Sequence, residues 1–275
     1  MIQDILPAKL DNSFRNVPPQ KGDQIIAFRG ETLLTAVDPD TNELSFPDWS
    51  CFSAETRHIY IFSIDEQRYF MAFDAQEVPE GFDYQPMSDI RRLKMGSNVS
   101  MYAAFSAYHL WKWYSASRYC GSCGAETEFD AKERAMRCPK CGNIIYPRIN
   151  PAVIIAVRNG DRLLLTKYNR GYANYALVAG FTEFGETLEE TVQREVMEET
   201  GLKVKNIQYY KSQPWGIALD LLVGFVCDVD GDDTIHIDNQ ELKLGEWVPR
   251  EEIQLQPLKI SLTGEMMQMF KEGRI

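Results

Sequence analysis

The sequence predicts an α/β protein, and three observations lead there. From Tyr146 onward, short apolar runs surround one long acidic amphipathic segment; two Cys-x-x-Cys motifs stand immediately upstream; and residues 1 to about 95 hold short strand-like runs with no catalytic motif. With 275 residues, 44% of them hydrophobic, the chain can bury two ordinary cores.

At the front, "QIIAF", "HIYIFSI" and "RYFMAFD" read as strands, the last two closed into a hairpin through "DEQ". Residues 97–118 lack Pro and internal Gly and place Met101, Phe105, Tyr108 and Trp111 at helical spacing, which predicts a connecting helix with core aromatics. Cys51 and Cys227 stand alone among apolar or strand-like neighbours and are expected to be buried thiols.

The other four cysteines, Cys120, Cys123, Cys138 and Cys141, form two Cys-x-x-Cys pairs separated by fourteen residues, each second Cys followed by Gly. Each short turn aims two thiolates at one point, and Gly relieves the tight backbone, so the spacing predicts a tetrahedral four-cysteine Zn2+ site. A redox pair or an iron centre are the competing chemistries. Four thiolates close the coordination shell, which makes the zinc structural.

Beyond Tyr146, "PAVIIAV" and "RLLLTKY" read as strands joined at Asn159-Gly160, and "YALVAG" as a third strand. A helix follows, with Thr187 and Glu190 as a capping box, Leu188, Val192 and Val196 as its apolar face, and Gly201 as its stop. Strands in "VKNIQYYKS", "LDLLVGFVCDV" and "GEWVP" precede an amphipathic helix near "SLTGEMMQMF".

Residues 180–202 carry seven acids, and Glu195, Glu198 and Glu199 crowd the last turn of the helix, where the dipole disfavours negative charge. At i, i+3 and i+4 they share one face, away from the apolar stripe, with Arg194 four residues before Glu198. Hard carboxylate oxygens without His or Cys suit Mg2+ or Mn2+ rather than zinc. A solvated acidic face is the ordinary alternative; the neighbouring residues decide against it.

Gly180, Glu186, Arg194, Glu195, Val196, Glu198, Glu199, Gly201 and Leu202 fill the pattern Gly-x5-Glu-x7-Arg-Glu-apolar-x-Glu-Glu-x-Gly-apolar in full. This is a complete Nudix box, and the chain resembles Nudix pyrophosphohydrolases. The ribbon before "YPRINPAVI", the opening "AGFTEFGE" and the downstream "SQPW" are similar to the NADH pyrophosphatase branch, which includes NAD-capped RNA hydrolases. The resemblance implies a Nudix α/β/α sandwich with a four-cysteine zinc ribbon and a divergent N-terminal Nudix-like domain. Its divisions are residues 1–95 for the N-terminal domain, 96–118 for the connecting helix, 119–145 for the ribbon and 146–275 for the catalytic domain.

By the same resemblance, the catalytic residues are Glu199, the best candidate for general base or bridging ligand, and Glu195. The metal ligands are Glu195, Glu198, Glu199, Glu241 and the carbonyl of Ala179. Phe181 would stack a substrate ring, and Glu133, Tyr146, Gln213, Pro214, Trp215, Asp220 and Thr263 would touch substrate, with Arg91 a weaker match. The implied reaction is metal-dependent hydrolysis of the pyrophosphate of an NAD(H)-like dinucleotide to two mononucleotides, by a homodimer. ADP-ribose, another nucleoside diphosphate derivative or NAD-capped RNA are the alternative substrates. The branch continues Ser-Gln-Pro-Trp with Pro-Phe-Pro-x-Ser, where this chain has Gly216 to Asp220. That difference predicts a loosened selectivity loop, and an added negative charge at Asp220 if it points inward.

The formal net charge of −11 argues against nonspecific binding to polyanions. The ribbon segment 123–138 holds four acids against three bases, which disfavours the rival reading of a nucleotide sensor or nucleic-acid-binding protein. No apolar run is long enough to span a membrane, and "MIQDILPAKL" has no basic n-region or apolar h-region, so a cytoplasmic location without membrane association is the expectation.

Overall fold

The computed structural model describes residues 1–171, 174–237 and 240–275. The chain divides into two compact units. One comprises residues 2–148 with 215–219; the other comprises Met1, 149–214 and 220–275.

The first unit opens with β1 (Leu10–Asp11), β2 (Gln24–Arg29), β3 (Thr32–Val37), β4 (Leu44–Ser45), β5 (Arg57–Ile64), β6 (Gln67–Phe73) and β7 (Asp83–Pro86). They make one seven-stranded sheet in the order β1-β5-β6-β2-β3-β4, with β7 on β3. Strand β2 lies inside the sheet, parallel to β6, and buries Ile25, Ile26, Ala27 and Phe28 on both faces, as a continuous apolar run requires. The β5–β6 hairpin forms as expected, with Asp65 in the left-handed region at its turn.

Two helices follow, α1 (Met87–Arg92) and α2 (Asn98–Ala116). The short α1 has no counterpart in the sequence reading. Helix α2 starts where Ser97 accepts a hydrogen bond from the Ser100 amide, and it buries Met101, Ala104, Phe105 and Tyr108. Three two-residue strands, β8 (Glu128–Phe129), β9 (Met136–Arg137) and β10 (Ile144–Ile145), make the small sheet of the cysteine ribbon.

The second unit contains β11 (Asn150–Asn159), β12 (Arg162–Tyr168), β13 (Val178–Phe181), α3 (Leu188–Thr200), β14 (Val204–Trp215, whose last residue falls in the first unit), β15 (Asp220–Val229), β16 (Leu242–Pro249) and α4 (Leu262–Lys271). Its sheet runs β14-β15-β11-β12-β16, with β13 on β11. Side chains alternate along β11, and the two faces find different partners. Val153, Ile155 and Val157 join Val192 and Val196 of α3, while Ile154 and Ala156 join Met266, Met267 and Phe270 of α4. The result is an α/β/α sandwich.

Three sequence expectations need correction. The β11–β12 turn sits at Gly160-Asp161, closed by the pair Asn159↔Arg162, one residue later than expected; Gly160 supplies the positive φ of 62°. The strand expected over "YALVAG" is regular only from Val178, because Ala176 makes an isolated bridge to Thr166 of β12. Cys51 is exposed, in a short turn of 3-10 helix capped by Asp48, whereas Cys227 is buried on β15, where loss of solvent pushes its thiol up to about 12.

Candidate active site

The box helix is set by its ends. Thr187 accepts from the Glu190 amide while Glu190 accepts from the Thr187 amide, and Gly201 closes the helix at φ 70°, a left-handed conformation that costs other residues energy. Arg194 then ties the loop before the helix to the helix itself. Its guanidinium donates to both carboxylate oxygens of Glu186 (2.6 and 2.9 Å), to Glu195 (2.7 Å), to Glu198 (3.0 Å) and to the Phe181 carbonyl (2.8 Å). Glu186 is held down to about 2 by that guanidinium first, and then by the Glu183 amide and Thr191 hydroxyl that also donate to it.

The three box carboxylates differ sharply in environment, contrary to the expectation of one shared face away from the apolar stripe. The Glu198 side chain is 60% exposed and that of Glu195 12%, while Glu199 as a residue is 4% exposed. The helix repeat explains this: Glu199 follows Val196 by three and Val192 by seven, so it continues the apolar stripe. Glu195 lies against Gly180 of β13. A methyl group on Gly180 would come closer than 3.0 Å to all three atoms of the Glu195 carboxyl group, so the absence of a side chain there makes the carboxylate's seat. Burial raises the pKa of Glu195, Arg194 opposes that rise, and the charges of Glu198 and Glu241 reinforce it.

Tyr168, at the end of β12, was not singled out from the sequence. Its phenol is pushed up to about 12, chiefly by burial and then by the charges of Glu199, Glu241 and Glu195. The charges of those three carboxylates thus all act on one hydroxyl. Glu241 is exposed, and its carbonyl accepts from the Asn169 amide, which fixes the segment entering β16 beside the end of β12. Ala179 pairs with Ile154 on β13, one residue before Gly180. All the donors are carboxylate or carbonyl oxygens, and Gly180 leaves room for one of them, so the residues fit a hard divalent cation. Among the described residues, however, only the four cysteines bring three or more such side-chain ligand atoms within 4.8 Å of one another. The box carboxylates are poised around the site and not gathered.

Other residues expected at the site divide into two groups. Phe181 is half-exposed, and Phe184, which the sequence reading passed over, is 98% exposed on the same loop. Tyr146 and Glu133 are brought together: the tyrosine hydroxyl donates to Glu133 at 3.0 Å, a bond that raises the phenol's pKa. Thr263 is partly buried in the first turn of α4, and Pro214 is exposed. Gln213, in contrast, is fully buried. Its Nε2 donates to the Ile260 carbonyl at 2.9 Å and its Oε1 accepts from the Leu262 amide at 2.6 Å, so both amide atoms serve the entry to α4 instead of open space. Asp220 is also buried, accepting from Asn150 at 3.3 Å where β15 begins beside β11. Its charge is engaged within the sheet and does not project toward a ligand.

The segment after Ser-Gln-Pro-Trp is not loosened. Gly216 is buried, the Ala218 amide donates to the Trp215 carbonyl at 3.3 Å, and the Arg91 guanidinium lies 5.0 Å from the centre of the Trp215 ring. The altered residues reshape this segment into a packed turn.

In the ribbon, the two cysteine knuckles repeat each other. The Cys120 amide donates to Ala125 and its carbonyl accepts from Gly124; the Cys138 amide donates to Asn143 and its carbonyl accepts from Gly142. Gly124 and Gly142 take φ values of 72° and 75°, as expected for the residue after each second Cys. The sulfur separations of 3.6 Å (Cys120–Cys141) and 3.5 Å (Cys123–Cys138) are far too long for a disulfide, and close to the roughly 3.8 Å edge of a tetrahedron with bonds of about 2.3 Å to Zn2+. Amides of Ser122 and Cys123 lower the Cys120 thiol to about 6, favouring the thiolate that zinc needs.

Comparison with known proteins agrees with this geometry. Residues 148–269 match the NUDIX domain, and residues 115–146 match the NADH pyrophosphatase zinc ribbon domain. The chain is similar to the NAD-capped RNA hydrolase NudC of Pectobacterium atrosepticum, 39% identical over 174 residues, which are 62% of this chain and 66% of that protein. It is also similar to the NAD-capped RNA hydrolase NudC of Shigella dysenteriae, 41% identical over 148 residues, 54% of this chain and 57% of that one. The matched segments thus span less than two thirds of these relatives' own length. Among solved structures, a Nudix hydrolase from Nitrosomonas europaea superposes with a TM-score of 0.50 at 21% identity, covering 56% of this chain and 91% of that one, a likeness of fold. The two matches adjoin in sequence and the box within the second is complete: this chain carries a Nudix domain directly after an NADH pyrophosphatase zinc ribbon domain.

Proposed function

We propose that this protein hydrolyses the pyrophosphate bond of NAD(H)-like dinucleotides to two mononucleotides, NMNH or NMN and AMP. The observation that carries the reading is the complete box, with the Glu195 carboxylate seated on Gly180 and Arg194 clamping the box loop to its helix. Glu195, Glu198, Glu199, Glu241 and the Ala179 carbonyl would hold Mg2+ or Mn2+. Such an ion, when bound, would neutralise the diphosphate and lower the pKa of the attacking water. Glu199, buried at the edge of the apolar stripe, is the residue that would accept that water's proton in this reading. Phe181 would supply an exposed ring for a base of the substrate.

A second substrate, an RNA carrying an NAD cap, is favoured by the likeness to the NAD-capped RNA hydrolases of Pectobacterium and Shigella. The same bond would be cut. With a net charge of −11, recognition would rest on the cap and not on a polyanion-binding surface. A homodimer in the cytoplasm completes the proposal; no helix among the described residues is long and apolar enough to cross a membrane.

The test is product analysis. The purified protein is incubated with NADH, ADP-ribose and a 5′-NAD-capped RNA in Mg2+ or Mn2+, and the expected products are NMNH with AMP from NADH, and a 5′-monophosphate RNA from the capped strand. Cleavage of ADP-ribose alone would overturn the dinucleotide assignment.

A further inference from the structure

We propose that Arg170 is a substrate-binding residue: its guanidinium holds a phosphate of the substrate's diphosphate in the recess where β12 ends, next to Glu241. The proposal rests on the hydrolase reading above for the ligand, and on the second unit alone for its geometry.

The recess is built by a clamp between two segments of the chain. The β12–β16 pairing shifts between Lys167, opposite Leu244, and Tyr168, opposite Leu242, so Lys243 is the extra residue of a bulge that bends this end of the pair. Past the bulge, the Asn169 amide donates to the Glu241 carbonyl at 2.9 Å, and the Asn169 side chain donates to the Gln240 carbonyl at 3.2 Å. Both bonds stop one residue short of Arg170. Tyr168, Asn169, Arg170, Gln240 and Glu241 then line one open recess of about 790 Å3. Glu241 in this lining is one of the metal ligands of the reading above, and the charges of Glu199, Glu241 and Glu195 all act on the Tyr168 hydroxyl.

Arg170 is the unengaged guanidinium of this unit. Of its six arginines, Arg158 pairs with Asp228, Arg162 with Asp233, Arg194 with Glu186 and Arg274 with Glu272, while Arg250 donates to the Phe270 carbonyl. Arg170 is exposed and makes no hydrogen bond or ion pair with any described residue, although Glu241 lines the same recess. In a chain with 40 acids against 29 bases, a guanidinium left without a carboxylate is the exception.

A phosphate is the group that such a cation suits. The guanidinium stays charged and presents parallel N–H donors that match two phosphate oxygens, whereas the carboxylates of the box and Glu241 repel the same oxygens. Direct contact with the anion therefore falls to Arg170, the one basic side chain among the described residues of the recess. Phosphate occurs at two places in the substrates of the reading: in the diphosphate that is cut, and in the RNA phosphodiester that follows an NAD cap. Glu241 on the wall of the recess assigns the first.

The experiment compares the wild-type protein with Arg170→Gln and Arg170→Lys, both expected to fold because the side chain is exposed and unbonded. Steady-state kinetics are measured with NADH, ADP-ribose and a 5′-NAD-capped RNA in Mg2+. Calorimetric titration with inorganic pyrophosphate in the same buffer adds a readout that needs no turnover. Arg170→Gln should raise the KM for all three substrates about tenfold or more, with kcat within about threefold, and should weaken pyrophosphate binding to a similar degree. Arg170→Lys keeps the charge and loses the fork, so it should recover part of both losses. The rise of the wild-type KM with added salt should flatten in Arg170→Gln. A KM change confined to the capped RNA would move the contact to the phosphodiester and overturn the assignment. Unchanged KM and pyrophosphate affinity, a loss of kcat alone, or losses that track a lower Tm would overturn it as well. Wild-type protein that cleaves none of the three would refute the hydrolase reading instead. Weaker pyrophosphate binding by Arg170→Gln would then still support the phosphate contact, and equal or absent binding in both proteins would overturn it.

Discussion

The ribbon and the box both look built for metal, yet they are built in opposite ways. In the ribbon, four sulfurs already lie within 4.8 Å of one another, each pair presented by a repeated knuckle and a left-handed glycine. In the box, the carboxylates are spread from exposed to buried, and a single arginine bridges Glu186, Glu195 and Glu198. Thiolates gathered in advance make a closed site whose metal belongs to the fold. Carboxylates held apart by a guanidinium leave open positions, which a site that must also admit a diphosphate and a water requires.

The comparison breaks most severely at Glu199. Glu199→Gln keeps volume and removes charge, and it should lower turnover of NADH by about 10²-fold or more while the thermal unfolding profile stays close to wild type. Wild-type turnover at saturating Mg2+ would show that the buried carboxylate does not act in the chemistry.

The ribbon should respond in the other register. Metal analysis should return about one zinc per chain, and Cys138→Ser should lose it with a large drop in the melting temperature of the first unit, since thiolate-held zinc contributes on the order of 10 kcal/mol in small modules. Whatever Cys138→Ser protein stays folded should retain its dependence on Mg2+. Zinc-free protein with an unchanged Tm would erase the distinction between the two sites.

Gly180→Ala sharpens the box side of the comparison. The added methyl overlaps the Glu195 carboxylate and must displace it, so the Mg2+ concentration for half-maximal activity should rise about tenfold, with little change in zinc content. An unaltered Mg2+ titration would mean that the seat on Gly180 is not a ligand position.

The smallest expected effect is that of Gln213→Leu. It strands the Ile260 carbonyl and the Leu262 amide, which should cost about 1–3 kcal/mol of stability and leave the KM for NADH within about twofold. A large KM change at constant Tm would return Gln213 to the substrate.

What could be read from the sequence was whatever depends on neighbours in the chain. The capping box at Thr187, the stop at Gly201 and the Cys-x-x-Cys-Gly knuckles are each complete within a few residues, and each forms as read. The burial of Gln213 was not legible because its partners lie 47 and 49 residues away, and a buried amide looks the same in a sequence whether it meets backbone or substrate. Gly216 was misread for a related reason: glycine permits both looseness and close approach, and only the carbonyl of Phe105, which a Cβ at 216 would strike, tells which. The burial of Glu199, by contrast, was available in its spacing from Val192 and Val196, but the shared acidic spacing was read as a face away from that stripe.

The membership of residues 215–219 in the first unit also bears on how the chain is made. A ribosome emits the segment to Arg148 first, then most of the strands and the box helix of the second unit, before it reaches Gly216. At roughly 5–20 residues per second, the first unit waits several seconds for its last five residues, with the backbone of α2 at Phe105 uncovered meanwhile. Neither unit is then an independent product of synthesis. The first can reach its final form only after the second is partly built, so a nascent chain stalled before Trp215 should expose α2 to chaperones or proteases, and one released beyond Asp220 should not.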